Sequence, residues 1–299
     1  MKPLLQFLMC STSIALALML LLGMSSARGE SGVEKAIKAF SKDYVSGYVQ
    51  PMADFFGANM SAGWYHSAAI PNMGFNLSVN IVAMGSMVGD AQKTFTANSP
   101  IGSFPTPTVF GEKTGGRITD PNTGLSYGGS GGALNATLFP LATLQLHIGS
   151  VYGTELVIRG LPIPEISGAP KVTFFGLGVR HSISQYLAEF PVDIAAGVFW
   201  NTIKFGDLIN MKSLAFGAQA SKSFAILELY GGFAYEKSSM DLGYTSTAAG
   251  SPNVSISLDG ANTFRATVGL GLNLAILHIY GDANFGSVTN FSAGLGFGF

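Results

Sequence analysis

The sequence predicts an all-β fold, a transmembrane antiparallel β-barrel of about 12 strands, with about 10 as the alternative, preceded by a short N-terminal helical segment. Three observations carry this. The chain opens on a secretory leader. The whole chain is 47% hydrophobic and only 11% charged, with 39 glycines, against the roughly 25% charge of an ordinary globular protein. It closes on strict alternation, with apolar side chains at Phe291, Ala293, Leu295, Phe297 and Phe299 and Ser292, Gly294, Gly296 and Gly298 between them. Period two gives one apolar face and one small, polar face. An exported chain that needs an apolar surrounding for half its side chains must span with strands in a closed ring, where no edge is left unpaired.

The leader comprises Lys2, an apolar run from Leu4 to Leu22, and a small-residue segment in which Ser25 and Ala27 stand at the cleavage positions. Residues 1–27 are read as a signal peptide cleaved after Ala27. Cys10 lies inside the apolar run, and Phe7-Leu8-Met9 lacks the small residue that precedes a lipidated cysteine. Cleavage removes it, so the processed chain has no thiol for a disulfide or a metal. No later run of eighteen or more apolar residues exists to form a spanning helix. A net charge of −1 argues against a nucleic-acid partner, which would want a basic stripe.

Residues 28–59 form the helical segment. Val33, Ile37, Phe40, Tyr44, Val45, Tyr48 and Val49 recur at three- and four-residue spacing, with Glu34, Lys35, Lys38, Lys42 and Asp43 between them. Pro51 is expected to split it into two short helices. The segment either lies against the barrel or plugs its lumen. Residues 60–299 form the barrel. Ser61–Ser67 and Phe75–Met87 read as a first strand pair, and Gly89–Gly132, rich in Gly, Thr, Ser, Asn and Pro, as a long loop. Alternation then becomes regular, as in Val192, Ile194, Ala196, Val198 and Trp200, and in Phe264, Ala266, Val268, Leu270 and Leu272. An internal echo, Ala225-Ile-Leu-Glu-Leu-Tyr-Gly231 and Ala275-Ile-Leu-His-Ile-Tyr-Gly281, marks two copies of one hairpin unit joined by short turns. About eleven strands can be counted, and bacterial single-chain barrels have an even number. One strand is therefore either hidden in 89–132, or Ser61–Ser67 stands outside the wall.

Gly57-Ala-Asn-Met-Ser-Ala-Gly-Trp-Tyr65, Gly178-Val-Arg-His-Ser-Ile-Ser-Gln-Tyr186, Phe190-Pro-Val-Asp-Ile194 and Ser221–Gly231 resemble an uncharacterised family of predicted outer-membrane barrels common in Bacteroidetes-like bacteria. The resemblance covers most of the chain from Val33 onward and implies fold and compartment, with no activity to carry over. In layout alone the chain is similar to outer-membrane long-chain fatty-acid transporters, which also place N-terminal helices in the lumen. The last strand resembles the C-terminal aromatic signal read by the barrel assembly machinery, which makes Phe299 and Phe297 candidate signal residues.

Charge on the lipid face costs about 2–4 kcal/mol near the midplane, so charged strand residues should point inward. By phase, Glu155, Arg159, Arg180, Asp193, Glu228, Arg265 and Asp282 belong to the lumen, with His147, His278, Gln145 and Asn273. They form either a charge-paired filling or a selective constriction. Arg265 should pair with a carboxylate such as Glu228 or Asp282. Trp64, Tyr65, Trp200, Tyr230, Tyr235 and Tyr280 are expected in interfacial girdles. His181 and Ser182, as strand neighbours, face opposite sides and cannot form a dyad. The four histidines have no metal-ligand spacing. No catalytic residue, cofactor or metal site is expected. The sequence thus points to a Gram-negative outer-membrane barrel in contact with lipid, a channel or transporter for a small, partly hydrophobic solute. The alternative is a structural or surface-interaction barrel presenting the 89–132 and 237–262 loops.

Overall fold

A computed structural model describes residues 42–161, 171–187, 190–244 and 254–298. The leader assigned to 1–27 and Phe299 lie outside these residues. One helix, α1 (Lys42–Ser61), is followed by β1 (Met73–Met87), two small hairpins, β2 (Thr94–Ser99) with β3 (Gly102–Pro107) and β4 (Arg117–Thr119) with β5 (Ser126–Gly128), and then the rest of the wall. The wall continues as β6 (Leu138–Val151), β7 (Thr154–Leu161), β8 (Val172–Ser182), β9 (Asp193–Phe205), β10 (Ile209–Phe224) and β11 (Leu227–Tyr244). After β12 (Val254–Asp259) come β13 (Phe264–Leu274), β14 (Leu277–Phe285) and β15 (Asn290–Gly298).

Ten of these strands close into an antiparallel ring, β1-β6-β7-β8-β9-β10-β11-β13-β14-β15 and back to β1. The last strand seals against the first in the register Val79↔Phe297 to Gly85↔Phe291. The ring thus has the smaller of the two expected strand numbers. Ser61–Ser67 is not a strand, since Ser61 ends α1 and the chain beyond it descends through the lumen. The four short strands within 89–132 pair only with one another. The expected 237–262 loop is mostly regular, because β11 runs on to Tyr244 and β12 pairs with its end.

Burial alternates along the wall, most regularly in β8 and β15. In β15 every even residue is buried and the odd ones face out. Outward side chains such as Phe233 (75% exposed), Val268, Leu270, Phe264 and Phe297 form an apolar exterior. The glycines on the inner face of β15 make room for neighbours: a Cβ at Gly294 would strike the Tyr280 ring, and one at Gly296 the Asn80 amide. The barrel has a short-turn end, with turns at 152–153, 225–226 and 275–276, and a long-loop end carrying 88–137 and the β11–β12 extension.

α1 enters from the long-loop end, where the Tyr44 hydroxyl accepts from Ser130 N (2.6 Å) and Tyr48 O accepts from Val109 N (2.9 Å). It is one helix through Pro51, not two. A mid-helix proline costs about 3 kcal/mol, while each fully buried large apolar side chain contributes roughly 1.5–3 kcal/mol. Tyr48, Val49, Met52, Phe55, Phe56 and Met60 are all buried in the lumen, so packing outweighs the lost bond. No helix among the described residues is long and apolar enough to cross a membrane, which says nothing of the strands.

Candidate functional site

The lumen has three levels. Uppermost, at the long-loop end, it is filled largely by apolar side chains. Phe139 stands at the centre of an aromatic cluster, with Phe56 at 4.6 Å, Phe110 at 5.5 Å and Phe55 at 6.1 Å between ring centroids. Some polar groups here are paired: Asn59 Nδ2 donates to Phe139 O (2.8 Å), and Ser86 Oγ donates to Asn59 Oδ1 (2.8 Å), while the buried Asn290 amide has no partner among the described residues. Burial pushes the Tyr48 hydroxyl up to about 12, so it keeps its proton and donates to Gly131 O at 3.1 Å. Asp54 accepts from Gln50 Nε2 and Ala261 N, yet burial raises its carboxyl above the usual range.

At mid-height the helix ends on a latch. The last carbonyls of a helix have no partner of their own and carry its negative pole. Met60 O accepts from Trp64 Nε1 (3.1 Å), Asn201 Nδ2 (3.0 Å) and Arg159 Nη1 (3.2 Å), while Ala62 O accepts from Arg159 Nη2 (2.8 Å). The Arg159 guanidinium lies 3.8 Å from the Trp64 ring centroid. Trp64 in turn stacks on Phe199 at 4.8 Å. A fully buried cation is therefore held by carbonyls, a helix pole and an indole face, with no carboxylate among its hydrogen-bond partners.

From the latch a chain of hydrogen bonds runs toward the short-turn end. Arg159 Nε donates to Gln145 Oε1 (2.5 Å), and Gln145 Nε2 donates to His147 Nε2 (2.7 Å). His147 Nδ1 then meets Glu155 Oε1 (2.8 Å). Donation from Gln145 makes Nε2 the acceptor, so the His147 proton is assigned to Nδ1, facing the carboxylate. Arg180 Nη1 binds the same Glu155 oxygen (2.8 Å), and its Nη2 donates to Ser67 O, back on the descending chain. Gln219 Nε2 also donates to Ser67 O (3.2 Å), and Ser221 Oγ accepts from Ala68 N (2.9 Å). The wall thus grips the plug at two points joined by one network.

Below it is a polar chamber of about 430 Å³ walled by His66, His147, Glu155, Arg180, Glu228 and His278, among others. His66 stacks on Tyr280 at 4.4 Å and lies 5.7 Å from the His147 ring and 6.1 Å from that of His278. Burial first, then repulsion from the nearby Arg180 guanidinium, holds His66 well below the ordinary imidazole range. Glu228 Oε2 accepts from Asn273 Nδ2 (2.8 Å), whose Oδ1 meets His278 Nδ1 (2.9 Å). Among the described residues no group of histidines and carboxylates is arranged to hold a metal ion.

Every strand charge assigned inward by phase lies on the inner side of the wall. Their pairings differ from expectation. Among the described residues, Glu155 with Arg180 and Arg265 with Glu236 (2.9 Å) are the ion pairs these strand charges form. Arg265 meets Glu236 because its own rung on β11 is Ala234, two residues away, whereas Glu228 pairs with Gly271 at the far end of the strand. Asp282 is met by neutral donors, Tyr230 Oη, Asn284 Nδ2 and Ser292 Oγ. Asp193 is half-buried at the short-turn end of β9, in register with Ser221.

Four of the six expected girdle aromatics are interior: Trp64 (1% exposed), Tyr65, Tyr230 and Tyr280 (4%). Trp200 (40%) and Tyr235 face out. Tyr230 and Tyr280 share the inward phase of Glu228 and Asp282, so the signal was present in the spacing. Gln145 carries the network from the inward phase assigned to it, whereas His66, stacked on Tyr280 in the chamber, has no motif to mark it. His181 bonds Thr154 and Tyr186 on the outer side, whereas Ser182 is buried inside. Phe297 faces outward, in register with Val79 and Leu277.

A family described as being of unknown function, DUF6588, matches the chain over residues 1–299, and the chain belongs to it. No curated protein matches. Among solved structures, Ail, the attachment invasion locus protein of Yersinia pestis, is 12% identical, covering 76% of this chain and 100% of its own, with a TM-score of 0.31. The N-terminal β-barrel domain of OprF from Pseudomonas aeruginosa is 10% identical, covering 49% and 98%, with a TM-score of 0.26. OmpT, an outer membrane protein of Vibrio cholerae, in a form lacking loop L8, is 10% identical, covering 76% and 98%, with a TM-score of 0.25.

Proposed function

We propose that this member of the family is an outer-membrane channel or transporter for a small solute, held shut at rest by its own N-terminal helix. The observation that carries the reading is the sharp division of the lumen. A polar chamber lies directly beneath a helix end that the wall holds through Arg159 and Asn201. A barrel filled only for stability would have no need of an open, charge-lined space under its plug. The apolar exterior suits lipid, and the usual asymmetry of such barrels places the short turns in the periplasm and the long loops outside. Phe297 and the terminal Phe299 are proposed as the signal to the assembly machinery.

Planar-bilayer conductance tests the reading. The wild-type protein should show almost no steady current, whereas Arg159→Ala combined with Asn201→Ala should open the barrel frequently. Steady wild-type conductance would refute a resting seal. A doubly substituted barrel that keeps its heat-modifiable gel mobility but never conducts would refute transport. That outcome favours a surface-interaction barrel, a reading supported by the two hairpins, β2–β3 and β4–β5, built over the long-loop end.

A further inference from the structure

The barrel wall is irregular beside the chamber. The ladder between β1 and β6 shifts register between Met73 and Asn76, and the adjoining β6–β7 ladder shifts between Ile148 and Val151. Outside this double irregularity is a groove of about 630 Å³, lined by Met73, Ile148, Val151, Leu156 and Val179 among others. Met73, Val151 and Val179 are exposed on the barrel exterior, where the membrane would lie. Met73, Gly74 and Glu155 line both this groove and the polar chamber. A Cβ at Gly149 would sit 3.1 Å from Glu155 Cβ, so a glycine at this seam leaves the Glu155 side chain its place between groove and chamber.

The two sides differ in chemistry. The outer groove is apolar. The inner chamber has buried charge with bonding capacity unused: Arg180 Nε, a donor, and Glu228 Oε1, an acceptor, both lack a partner among the described residues. Buried groups in this condition cost free energy unless something meets them. An apolar chain outside and a headgroup with both an anionic oxygen and an N–H donor inside would satisfy every one of these surfaces.

We propose that the groove and chamber form one lateral site for a single-chain amphiphile with a zwitterionic headgroup. The groove volume falls within the range of small-ligand pockets, which favours one acyl chain over two. This rests on the transport reading and names its substrate class and route: entry or exit through the wall at the β1–β6–β7 seam, not along the axis blocked by α1.

The test uses the full-length protein in phosphatidylcholine vesicles with a lysophosphatidylethanolamine bearing a diazirine in its acyl chain, and maps the photolabelled residues. Labelling at Met73, Val151 and Leu156 should saturate at low probe content. Unlabelled lysophosphatidylethanolamine should displace it at about tenfold lower concentration than a fatty acid, which lacks the ammonium that Glu228 would bind, a ratio worth one charge-assisted hydrogen bond. Val179→Trp, a change on the outer face, should abolish groove labelling and leave labelling at Phe233 and Val268 intact. Labelling at the groove that rises in proportion to probe content, as at Phe233 and Val268, would overturn the site. Equal competition by the fatty acid would overturn the headgroup assignment. Saturable labelling in a barrel that never conducts would overturn the transport reading alone, leaving a lipid-binding site.

Discussion

The two halves of the lumen solve the same problem with opposite means. At the long-loop end α1 is held mainly by packed aromatic rings and other apolar side chains, with Asn59 bonded locally to Phe139 O. At the short-turn end the chain after α1 is held by hydrogen bonds from charged and amide side chains, and a chamber is left beside it. Apolar packing is non-directional and resists displacement in proportion to area. A hydrogen-bond network is directional and can be exchanged, bond for bond, for those of a ligand or of water. The upper half therefore reads as the seal and the lower half as the part that can let go.

Truncating the centre of the seal should have the largest effect. Phe139→Ala removes the ring that Phe55, Phe56 and Phe110 all contact, and should destabilise the folded barrel by about 3–5 kcal/mol. The temperature at which the compact gel band is lost would fall accordingly. If it moves no more than for a surface substitution, the aromatic cluster is not what holds the plug.

Arg159→Lys breaks the comparison from the other side. Lysine keeps the charge but lacks the planar fork, so it cannot serve Met60 O, Ala62 O and Gln145 together. Losing two such bonds should cost about 2–3 kcal/mol, less than the aromatic truncation. Yet it should raise the frequency of channel openings more than Phe139→Ala does at matched stability. A reversed order would move the gate to the upper half.

The lower half should also respond to pH where the upper half does not. His66 faces His147 and His278, Glu155 and Arg180, and the Tyr280 ring, and its imidazole is held neutral well below the ordinary range. A histidine whose folded value is depressed contributes its full stability above the unfolded value of about 6.5, and loses it as pH falls below that point. Acidification from neutrality should therefore loosen the grip on residues 66–68 and increase openings. His66→Phe, which keeps the stack on Tyr280, should flatten this response between about pH 6.5 and pH 5. An unchanged profile in that variant would assign the response to another group. Asp54 has the opposite sign: its raised carboxyl favours folding as pH falls, and only in the lower carboxylate range.

What the sequence revealed follows the same division. Period two is set by backbone geometry, so the inward phase of Glu155, Arg180, Glu228, Arg265 and Asp282 was legible from alternation alone. Partners were not, because register depends on which strands meet and where a ladder slips. Arg265 was expected near Glu228 or Asp282 and is paired with Glu236, a residue two positions beyond its rung. Pro51 misled because a local rule was applied to a segment that tertiary burial controls. Trp64 misled because an aromatic ahead of the strands carries no phase to show that it faces Arg159 inside the lumen. The chamber was the least legible, since it depends on space left over when the plug and wall are both placed.

The smallest effect expected comes from the echoed turns, which close the short-turn end beneath the chamber. Ala225 and Ala275 both adopt left-handed backbone, with φ of 55° and 57°, a conformation that costs a residue with a Cβ roughly 1–2 kcal/mol. Glycine removes that strain but gives the unfolded chain more freedom, worth about 0.4–1 kcal/mol in the other direction. Ala225→Gly and Ala275→Gly should each stabilise the barrel by about 0.5 kcal/mol on balance. The turns join different strand pairs, β10 with β11 and β13 with β14, but they are neighbours, with Asn273 N donating to Ile226 O (2.7 Å), so the double variant should depart from the sum of the two gains. Neither turn belongs to the latch, and channel opening should not change with them. A double variant that loses stability would show that the alanine methyls make contacts worth more than the strain. One that gates differently would mean that the short-turn rim, and not the latch at Arg159, controls access to the chamber.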